Sequence, residues 1–600
     1  MDAALTLDRP RPRFWPLALT FAWFAGLCAV LGWRLHELQV VSRDELVRRA
    51  AAQQVRTWSI PAQRGAIVDV SGAPLVTSVG TWTLRADPDY MDDKLRATVE
   101  LSRILGVPRE TLRRQFESGR NGRILAKEIR DGEPGERDLP GELQELIKPS
   151  DRKKPRLAGV SLVREFTRTY PEARLAPHLL GFVQADGGGG LGIEQAFNAA
   201  MTGTPGSEKL SVDALGKPVL DGAISTPPRP GANIQLAIDL SVQRLVQAEL
   251  LAGVEKLRPQ NAAAIVVRPA TGEILAMASW PDFDPVDRSG LVASSMRNNC
   301  LTFVYEPGST MKPLVAGAAV AEGLARWDEL IDCEHGHWKF QNSPPVREKT
   351  GGHGVLSLVE CIALSDNIAM AKLGVRLGPA RLADWIERLG FGRPTGIELP
   401  GEDAGLVAAK ARWKLGEHCL RIPMGHGVAV TPLQLVMAHA AVANGGLWHP
   451  PRLVRRMWID DGTAHGQDLD LPKQPDSHRV FSAAEALAIQ SAMTHTMTEG
   501  TGKRVQLDGY SSAGKTGTAE KIIDGRYASN HNVGSFVCWA PAESGARAEL
   551  CCLVVIDDPS QNGRFGADTA APIVREILQG SLEYLKIPKR PEPEVRDGKR

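Results

Sequence analysis

Three short patterns in the C-terminal half of the chain have the residue types and spacing for acyl transfer on a serine. Glu306-Pro-Gly-Ser309-Thr-Met-Lys312 holds a Ser-x-x-Lys spacing, Ser365-Asp366-Asn367 follows, and Lys515-Thr516-Gly517-Thr518 comes third. A serine hydroxyl is a poor nucleophile until a base within about 3 Å takes its proton. A lysine serves as that base only where burial or a second cation lowers its pKa, and the serine–lysine pair is a known variant of the serine triad. Lys515 is the expected second cation. Pro307-Gly308 forces a turn and the apolar run 314–324 begins just after it. Ser309 is therefore expected at a helix N-terminus, with Lys312 one turn along on the same face.

Spacing alone selects little, because Ser-x-x-Lys recurs at Ser150 and Ser512. Two better-known patterns are also rejected on context. Gly509-Tyr-Ser-Ser-Ala-Gly514-Lys515-Thr516 reads as a phosphate-binding P-loop, which needs a helix directly after its Lys-Thr. Here Gly517-Thr518-Ala519 and Ile522-Ile523-Asp524-Gly525 follow, a strand and a turn. Gly187-x-Gly189-x-x-Gly192 fits a dinucleotide fingerprint, with Asp213 downstream, but Thr202-Gly-Thr-Pro-Gly206 cuts the following helix too short for a parallel crossover. Cys333-Glu-His-Gly-His337 has metal-ligand types but no second cluster to complete a site, and reads as a surface hairpin. The eight cysteines (28, 300, 333, 361, 419, 538, 551, 552) include no Cys-x-x-Cys and form no disulfide framework of the small secreted kind.

The elements that must position these residues fall into several parts. A length of 600 residues suits two or more domains, and 43% hydrophobic with 24% charged residues suits folded cores. With 71 basic and 70 acidic residues the net charge is +1, which gives no sign of a nucleic-acid partner; the cluster Arg152-Lys153-Lys154 reads as solvated surface. Residues 14–33 run without a charge, roughly 30 Å of helix, the thickness of a bilayer core. Arg34-Leu-His-Glu-Leu follows instead of a small-residue cleavage site, so the segment reads as an uncleaved anchor. Arg9, Arg11 and Arg13 before it and Arg34, Arg43, Arg48 and Arg49 after it leave its orientation undecided.

Beyond the anchor, Leu38, Val41, Leu46 and Ala50 predict a helix over 36–56. Short strand-like runs, among them Thr81–Arg85 and Lys209–Asp213, continue to about 235, with a linker by composition at 225–231. A denser unit starts near Asn233: a helix over 240–256, a hairpin of 262–267 with 274–279, helices to about 500, strands at 533–539 and 549–556, and a closing helix at 567–585. Strands at both ends with helices between them predict an α+β unit with a central antiparallel sheet flanked by helices. Residues 588–600 read as a loose tail.

Together the three patterns are those of class A β-lactamases and penicillin-binding proteins, and the chain resembles the class B penicillin-binding proteins over most of its length. Arg64-Gly-Ala-Ile-Val-Asp69-Val-Ser-Gly72 is similar to the box that opens the family's pedestal, and Arg168-Thr-Tyr-Pro171, His178-Leu-Leu-Gly181-Phe and Gly190-Leu-Gly-Ile-Glu194 are similar to later pedestal elements. No Glu-Asp-x-x-Phe glycosyltransferase signature lies between anchor and linker, which separates the chain from the bifunctional class A. The resemblance implies a cytoplasmic tail at 1–13, a transmembrane anchor at 14–34, a mostly β pedestal of dimerisation type at 36–232, a transpeptidase domain at 233–585 and a flexible tail at 586–600.

It also implies roles. Ser309 would attack the penultimate D-alanine carbonyl of a peptidoglycan stem peptide, Lys312 would take its proton, Ser365 would relay a proton to the leaving amine, and Asn367 would bind substrate backbone and hold Lys312. Lys515, with Thr516, Gly517 and Thr518, would anchor the substrate from a strand edge, and the N–H groups of Ser309 and Thr518 would form the oxyanion hole. β-Lactams would acylate the same serine, and no metal or organic cofactor is needed. Glu306-Pro-Gly, Gly514-Lys-Thr-Gly-Thr-Ala519 and Gly425-x-Gly427 before Val430-Thr-Pro-Leu-Gln434 look like the septal, cell-division branch; Asp366 departs from it, and an elongation-type enzyme is the alternative. That branch implies an extracytoplasmic catalytic domain on a single-pass inner-membrane protein, partnered by a glycosyltransferase of the shape, elongation, division and sporulation (SEDS) family and by divisome proteins. A class A β-lactamase would carry a Glu-x-x-Leu-Asn loop, which is not found. A β-lactam sensor would carry several spans and an intracellular output domain, whereas thirteen residues precede this span.

Overall fold

The computed structural model describes residues 14–47, 55–117, 122–131, 138–147, 157–212, 218–348, 351–463, 465–543 and 547–590. Ser150, the basic cluster 152–154, Asp213, the N-terminal 1–13 and the tail beyond 590 lie outside the described residues. The chain divides into two compact units, one of Met1–Ala62 with Thr204–Arg229 and one of Gln63–Gly203 with Pro230–Arg600.

The first unit holds the apolar helix Trp15–His36, whose 22 residues bury none of their side chains and which a π turn extends to Val41. Among the described residues it is the one helix long and apolar enough to cross a membrane. The helix expected over 36–56 is not continuous. Helical turns cover 37–47, but Val55–Ile60 is a strand, antiparallel to Gly206–Val212, which pairs in turn with Pro218–Thr226. Val55, Thr57, Trp58 and Ile60 are β-branched or aromatic residues that fit a strand better than a helix. The expected linker at 225–231 begins as the end of this sheet, and Arg229 bridges back to Thr204.

The second unit is built around a five-stranded antiparallel sheet in the order Glu273–Trp280, Asn261–Arg268, Leu550–Asp557, Arg526–Ala540, Ala513–Ile523. Its central strands are apolar at successive positions because both faces are covered. Ala262, Ala264 and Val266 pack with Val246 and Leu250 of the helix Leu240–Leu257 and with Val574 and Ile577 of the helix Gly566–Tyr584. Ala263, Ile265 and Val267 face the other way, into the core shared with the helices Lys312–Ala321 and Pro432–Ala443. The period of two along one strand thus divides two helical layers. The strand Ala513–Ile523 is an edge, and the candidate site lies along it. The predicted hairpin, the two late strands and the closing helix are all present.

A second, mixed sheet runs through the same unit. Ile67–Val68 lies parallel to Asn233–Leu236, which pairs with Val454–Ile459, and Pro74–Ala86 carries Val160–Thr169. The boundary expected at 232/233 therefore falls at the first residue of a strand that ties early and late segments together. Three elements noted in the sequence meet beside it. Glu194, fully buried, accepts from Arg64 Nε and Arg168 Nε, both at 2.6 Å, while Arg64 Nη2 donates to the Glu194 carbonyl at 2.9 Å. A Cβ on Gly65 would lie 1.8 Å from the Ala232 carbonyl oxygen, so only glycine lets these segments approach. At the C-terminus, the tail expected to be loose from 586 is tied down to 590: Tyr510 Oη donates to the Ile587 carbonyl and Arg590 N–H donates to the Gly509 carbonyl.

Candidate active site

Ser309 lies in the short 3-10 turn Gly308–Met311 that leads straight into the helix Lys312–Ala321. Gly308 has φ 58°, and a Cβ there would lie 2.7 Å from the Thr518 carbonyl oxygen, so both conformation and space require glycine. A Cβ on Gly517 would lie 2.8 Å from the Pro307 carbonyl oxygen. These two glycines let the sheet edge press against the serine turn. Ser309 keeps partial exposure, whereas Lys312 and Lys515 are buried, with relative exposures of 1% and 0%.

Residues of the first two patterns meet at Ser309, with Ser365 standing nearest to it. Lys312 Nζ donates to the Ser365 carbonyl at 2.5 Å, to Ser365 Oγ at 3.1 Å and to Asn367 Oδ1 at 2.7 Å. Ser365 Oγ is 3.0 Å from Ser309 Oγ. The lysine, expected to meet the nucleophile directly, meets it through the Ser365 hydroxyl, which stands between them. Ser365 is held there in a left-handed backbone conformation, φ 65°, a local cost of about 1–2 kcal/mol that the surrounding structure must sustain. Asp366 next to it caps the helix Asn367–Arg388 by accepting from the Ala369 N–H, and faces His353 Nδ1 at 3.2 Å.

Burial is the main cause that pulls Lys312 down from 10.5 to about 8, with Glu348, Asp366 and Cys361 opposing it. Burial also holds Lys515 well below its ordinary value, and the neighbouring Lys312 adds to that. Lys515 Nζ has no hydrogen-bond partner among the described residues. Two lysines are thus held where burial favours their neutral forms, which suits a proton acceptor.

A cleft of 490 Å³ opens in front of them, lined by Ser309, Ser365, Asn367, Glu348, Thr501 and Thr518 among others. Thr518 Oγ1 accepts from the Gly566 N–H, at the start of the closing helix, at 3.1 Å. Thr516, expected at the substrate, is buried and donates to Thr501 Oγ1 at 3.0 Å, so Thr501 presents the hydroxyl at that level of the cleft. Sequence reasoning missed Thr501 and Glu348. It also left Glu306 without a part: its carboxylate accepts from the Gly427 N–H at 2.7 Å and Tyr527 Oη at 3.2 Å and lies 2.8 Å from His426 Nδ1. Those contacts tie the Gly425-His426-Gly427 segment and the tip of the sheet edge to the serine turn.

The P-loop and dinucleotide patterns lack the helices they require. Gly514 to Ile523 is a strand, so no helix follows Lys515-Thr516, and the helix after Gly192 ends at Ala196. Ser512, three residues before Lys515, is buried and leads into this extended strand; at a period of two it and Lys515 point to opposite faces. His335 and His337 are exposed in a turn and hairpin as expected, but Cys333 is buried with its Sγ 3.8 Å from Cys361 Sγ. No group of three or more metal-ligating side chains forms among the described residues.

Two family descriptions match this chain: the penicillin binding protein transpeptidase domain over residues 262–579 and the penicillin-binding protein dimerisation domain over residues 59–236. Stage V sporulation protein D of Bacillus subtilis is 32% identical over 563 residues, covering 94% of this chain and 84% of that protein. Peptidoglycan D,D-transpeptidase FtsI of Escherichia coli K12 is 30% identical over 611 residues, covering 98% and 96% respectively. Among solved structures, penicillin binding protein 3 of Mycobacterium tuberculosis, complexed with aztreonam, superposes with a TM-score of 0.67 at 25% identity, covering 89% of this chain and 98% of that one. With both domains matched and full-length relatives at this identity, the chain belongs to the penicillin-binding proteins that join a dimerisation domain to a transpeptidase domain.

Proposed function

We propose that this protein is a membrane-anchored peptidoglycan D,D-transpeptidase that cross-links stem peptides through an acyl-enzyme on Ser309. The observation that carries this is the hydrogen-bonded line Lys312–Ser365–Ser309, set in a cleft against a free sheet edge, with a buried Lys515 that has no hydrogen-bond partner among the described residues. An extended stem peptide would add to that edge as a strand, its carboxylate meeting Lys515 and the Thr501 and Thr518 hydroxyls. Ser309 Oγ attacks the penultimate D-alanine carbonyl, and its proton passes by way of Ser365 to neutral Lys312. The Ser309 and Thr518 N–H groups hold the oxyanion, each worth about 3 kcal/mol of transition-state stabilisation. The proton returns through Ser365 to the amine of terminal D-alanine as the C–N bond breaks and the acyl-enzyme forms. An amino group of a second stem peptide then attacks the ester, gives up its proton along the same line, and releases Ser309. The side chains named supply every proton acceptor and donor the cycle needs.

A β-lactam enters as a cyclic analogue of the same acyl donor. Its ring amide opens onto Ser309 without a departing fragment, which blocks the acceptor and leaves a long-lived ester. With such a substrate the transpeptidase domain, residues 233–585, lies on the extracytoplasmic side, with 14–34 as a single-pass anchor, 1–13 in the cytoplasm and 36–232 as the pedestal. The similarity to the Escherichia coli enzyme over nearly the whole chain supports a septal role, with a SEDS-family glycosyltransferase and divisome proteins as partners reached through anchor and pedestal; a midcell position of a fluorescent fusion tests that part.

The full chain in detergent, incubated with a fluorescent penicillin and followed for hours, tests the chemistry. A long-lived adduct that Ser309→Ala abolishes and that Ser150→Ala and Ser512→Ala leave intact is expected. Release of hydrolysed drug within seconds would make the protein a β-lactamase, and no adduct on the folded wild type would remove the proposal.

A further inference from the structure

Asn367 holds Lys312 only while its amide oxygen faces the lysine, and a carboxylate outside the three patterns decides that orientation. Glu348 follows the short strand Val346–Arg347, which pairs with His337–Trp338, and its backbone N–H donates to the Gly336 carbonyl at 3.0 Å. From this fixed position its half-buried side chain reaches the start of the helix Asn367–Arg388. Glu348 Oε1 accepts from the Asn367 backbone N–H at 2.5 Å, and Oε2 accepts from Asn367 Nδ2 at 3.0 Å. With Nδ2 so engaged, Oδ1 is the atom left for Lys312 Nζ, at 2.7 Å. Turning the amide over would set an NH2 group against the lysine and a carbonyl oxygen against the carboxylate, two repulsive contacts in place of two hydrogen bonds. The backbone contact uses a first-turn N–H that the helix itself cannot satisfy, at the end where negative charge is favoured.

We propose that Glu348 is a positioning residue of the transpeptidation site: it locks the Asn367 amide with Oδ1 toward Lys312 and sets the affinity of that lysine for the proton of Ser309. The proposal rests on Lys312 as proton acceptor. The charged and titratable groups that face Lys312 are Glu348, Asp366 and Cys361, which favour its protonated form, and the buried Lys515, whose positive charge and that of Lys312 disfavour each other. Asp366 is fully buried and already engaged by Ala369 and His353. Glu348 lines the cleft, with burial pushing its own carboxyl up, the neighbouring Asp366 adding to that, and the Asn367 N–H and Lys312 holding it down. Taking away its negative charge makes Lys312 easier to deprotonate, so the acid limb of acylation moves to lower pH. Losing its second acceptor oxygen frees Asn367 to turn, so the plateau falls. A residue that only braced the fold would lower the plateau and melting temperature without moving the limb.

The test is the acylation rate constant of the full chain with a fluorescent penicillin between pH 5.5 and 10, for wild type, Glu348→Gln and Glu348→Asp, with melting temperatures alongside. Glu348→Gln is expected to move the acid limb down by about one pH unit and to lower the plateau about tenfold. Glu348→Asp, which keeps the charge but draws it back by one carbon, is expected to keep the wild-type limb and lose plateau rate. A Gln variant with the wild-type limb, or an Asp variant with the wild-type plateau, overturns the proposal; if Gln does not fold, the Asp variant decides alone, a lowered plateau at the wild-type melting temperature supporting the proposal and a plateau that falls together with the melting temperature overturning it. Failure of the underlying reading shows elsewhere, as wild-type labelling that survives Ser309→Ala.

Discussion

Buried cations occur in two regions of this protein, and their surroundings differ. Beside the mixed sheet, Arg64 and Arg168 share the buried carboxylate of Glu194. In the cleft, Lys312 is held by a carbonyl, a hydroxyl and an amide oxygen, and Lys515 Nζ has no partner among the described residues. The first arrangement pairs charge with charge and holds distant segments in register. Removing one member of such a group leaves the others buried and uncompensated. Among the described residues the second keeps its lysines without a contacting carboxylate, which weakens their hold on protons. The same physics, desolvation against pairing, makes one region structural and the other chemical.

That contrast can be broken by substitution. Lys312→Met is expected to lower the acylation rate by at least about a thousandfold, since proton transfer and the hold on Asn367 both go, with the melting temperature unchanged or higher. Lys515→Met is expected to lower it about a hundredfold, again without loss of stability, because an apolar side chain replaces a buried, unpartnered charge. Arg64→Met should do the reverse: chemical denaturation should show a loss of about 3–5 kcal/mol, while each molecule that remains folded acylates at the wild-type rate. If Lys515→Met instead destabilises as Arg64→Met does, the distinction between the two regions fails.

The smallest expected effect sharpens the comparison by pH. Lys312 acts as a base only when neutral, and burial brings it to about 8. The acylation rate should rise with pH through that value, about tenfold from pH 7 to pH 9. Stopped-flow labelling measures this, and a flat profile over that range would remove Lys312 as the proton acceptor.

Much of this was legible in the sequence, because local chemistry specified it. Pro307-Gly308 before an apolar run placed Ser309 at a helix start, and apolar runs around a Pro-Ala-Thr-Gly turn placed the hairpin Asn261–Arg268 with Glu273–Trp280. The charge-free run placed the anchor helix. What failed to show were properties of three-dimensional neighbours. The apolar spacing over 36–56 predicts a helix that runs two residues into the strand Val55–Ile60, where pairing with Gly206–Val212 decides in favour of strand. Ile67–Val68 is two residues long and carries no period, yet it joins early and late segments in one sheet. Ser365 stands between Lys312 and Ser309 because of a left-handed backbone that no residue type announces. Glu348 sits after a short loop strand, and only the fold brings it to Asn367.

The most direct test of the central claim is mass spectrometry of the full chain after exposure to benzylpenicillin, first intact and then as peptides. The account predicts a single added mass equal to the whole drug, carried on the peptide that contains Ser309 and persisting for hours. An adduct mapped to Ser365 or Ser512, or a protein that stays unmodified while folded, would contradict it.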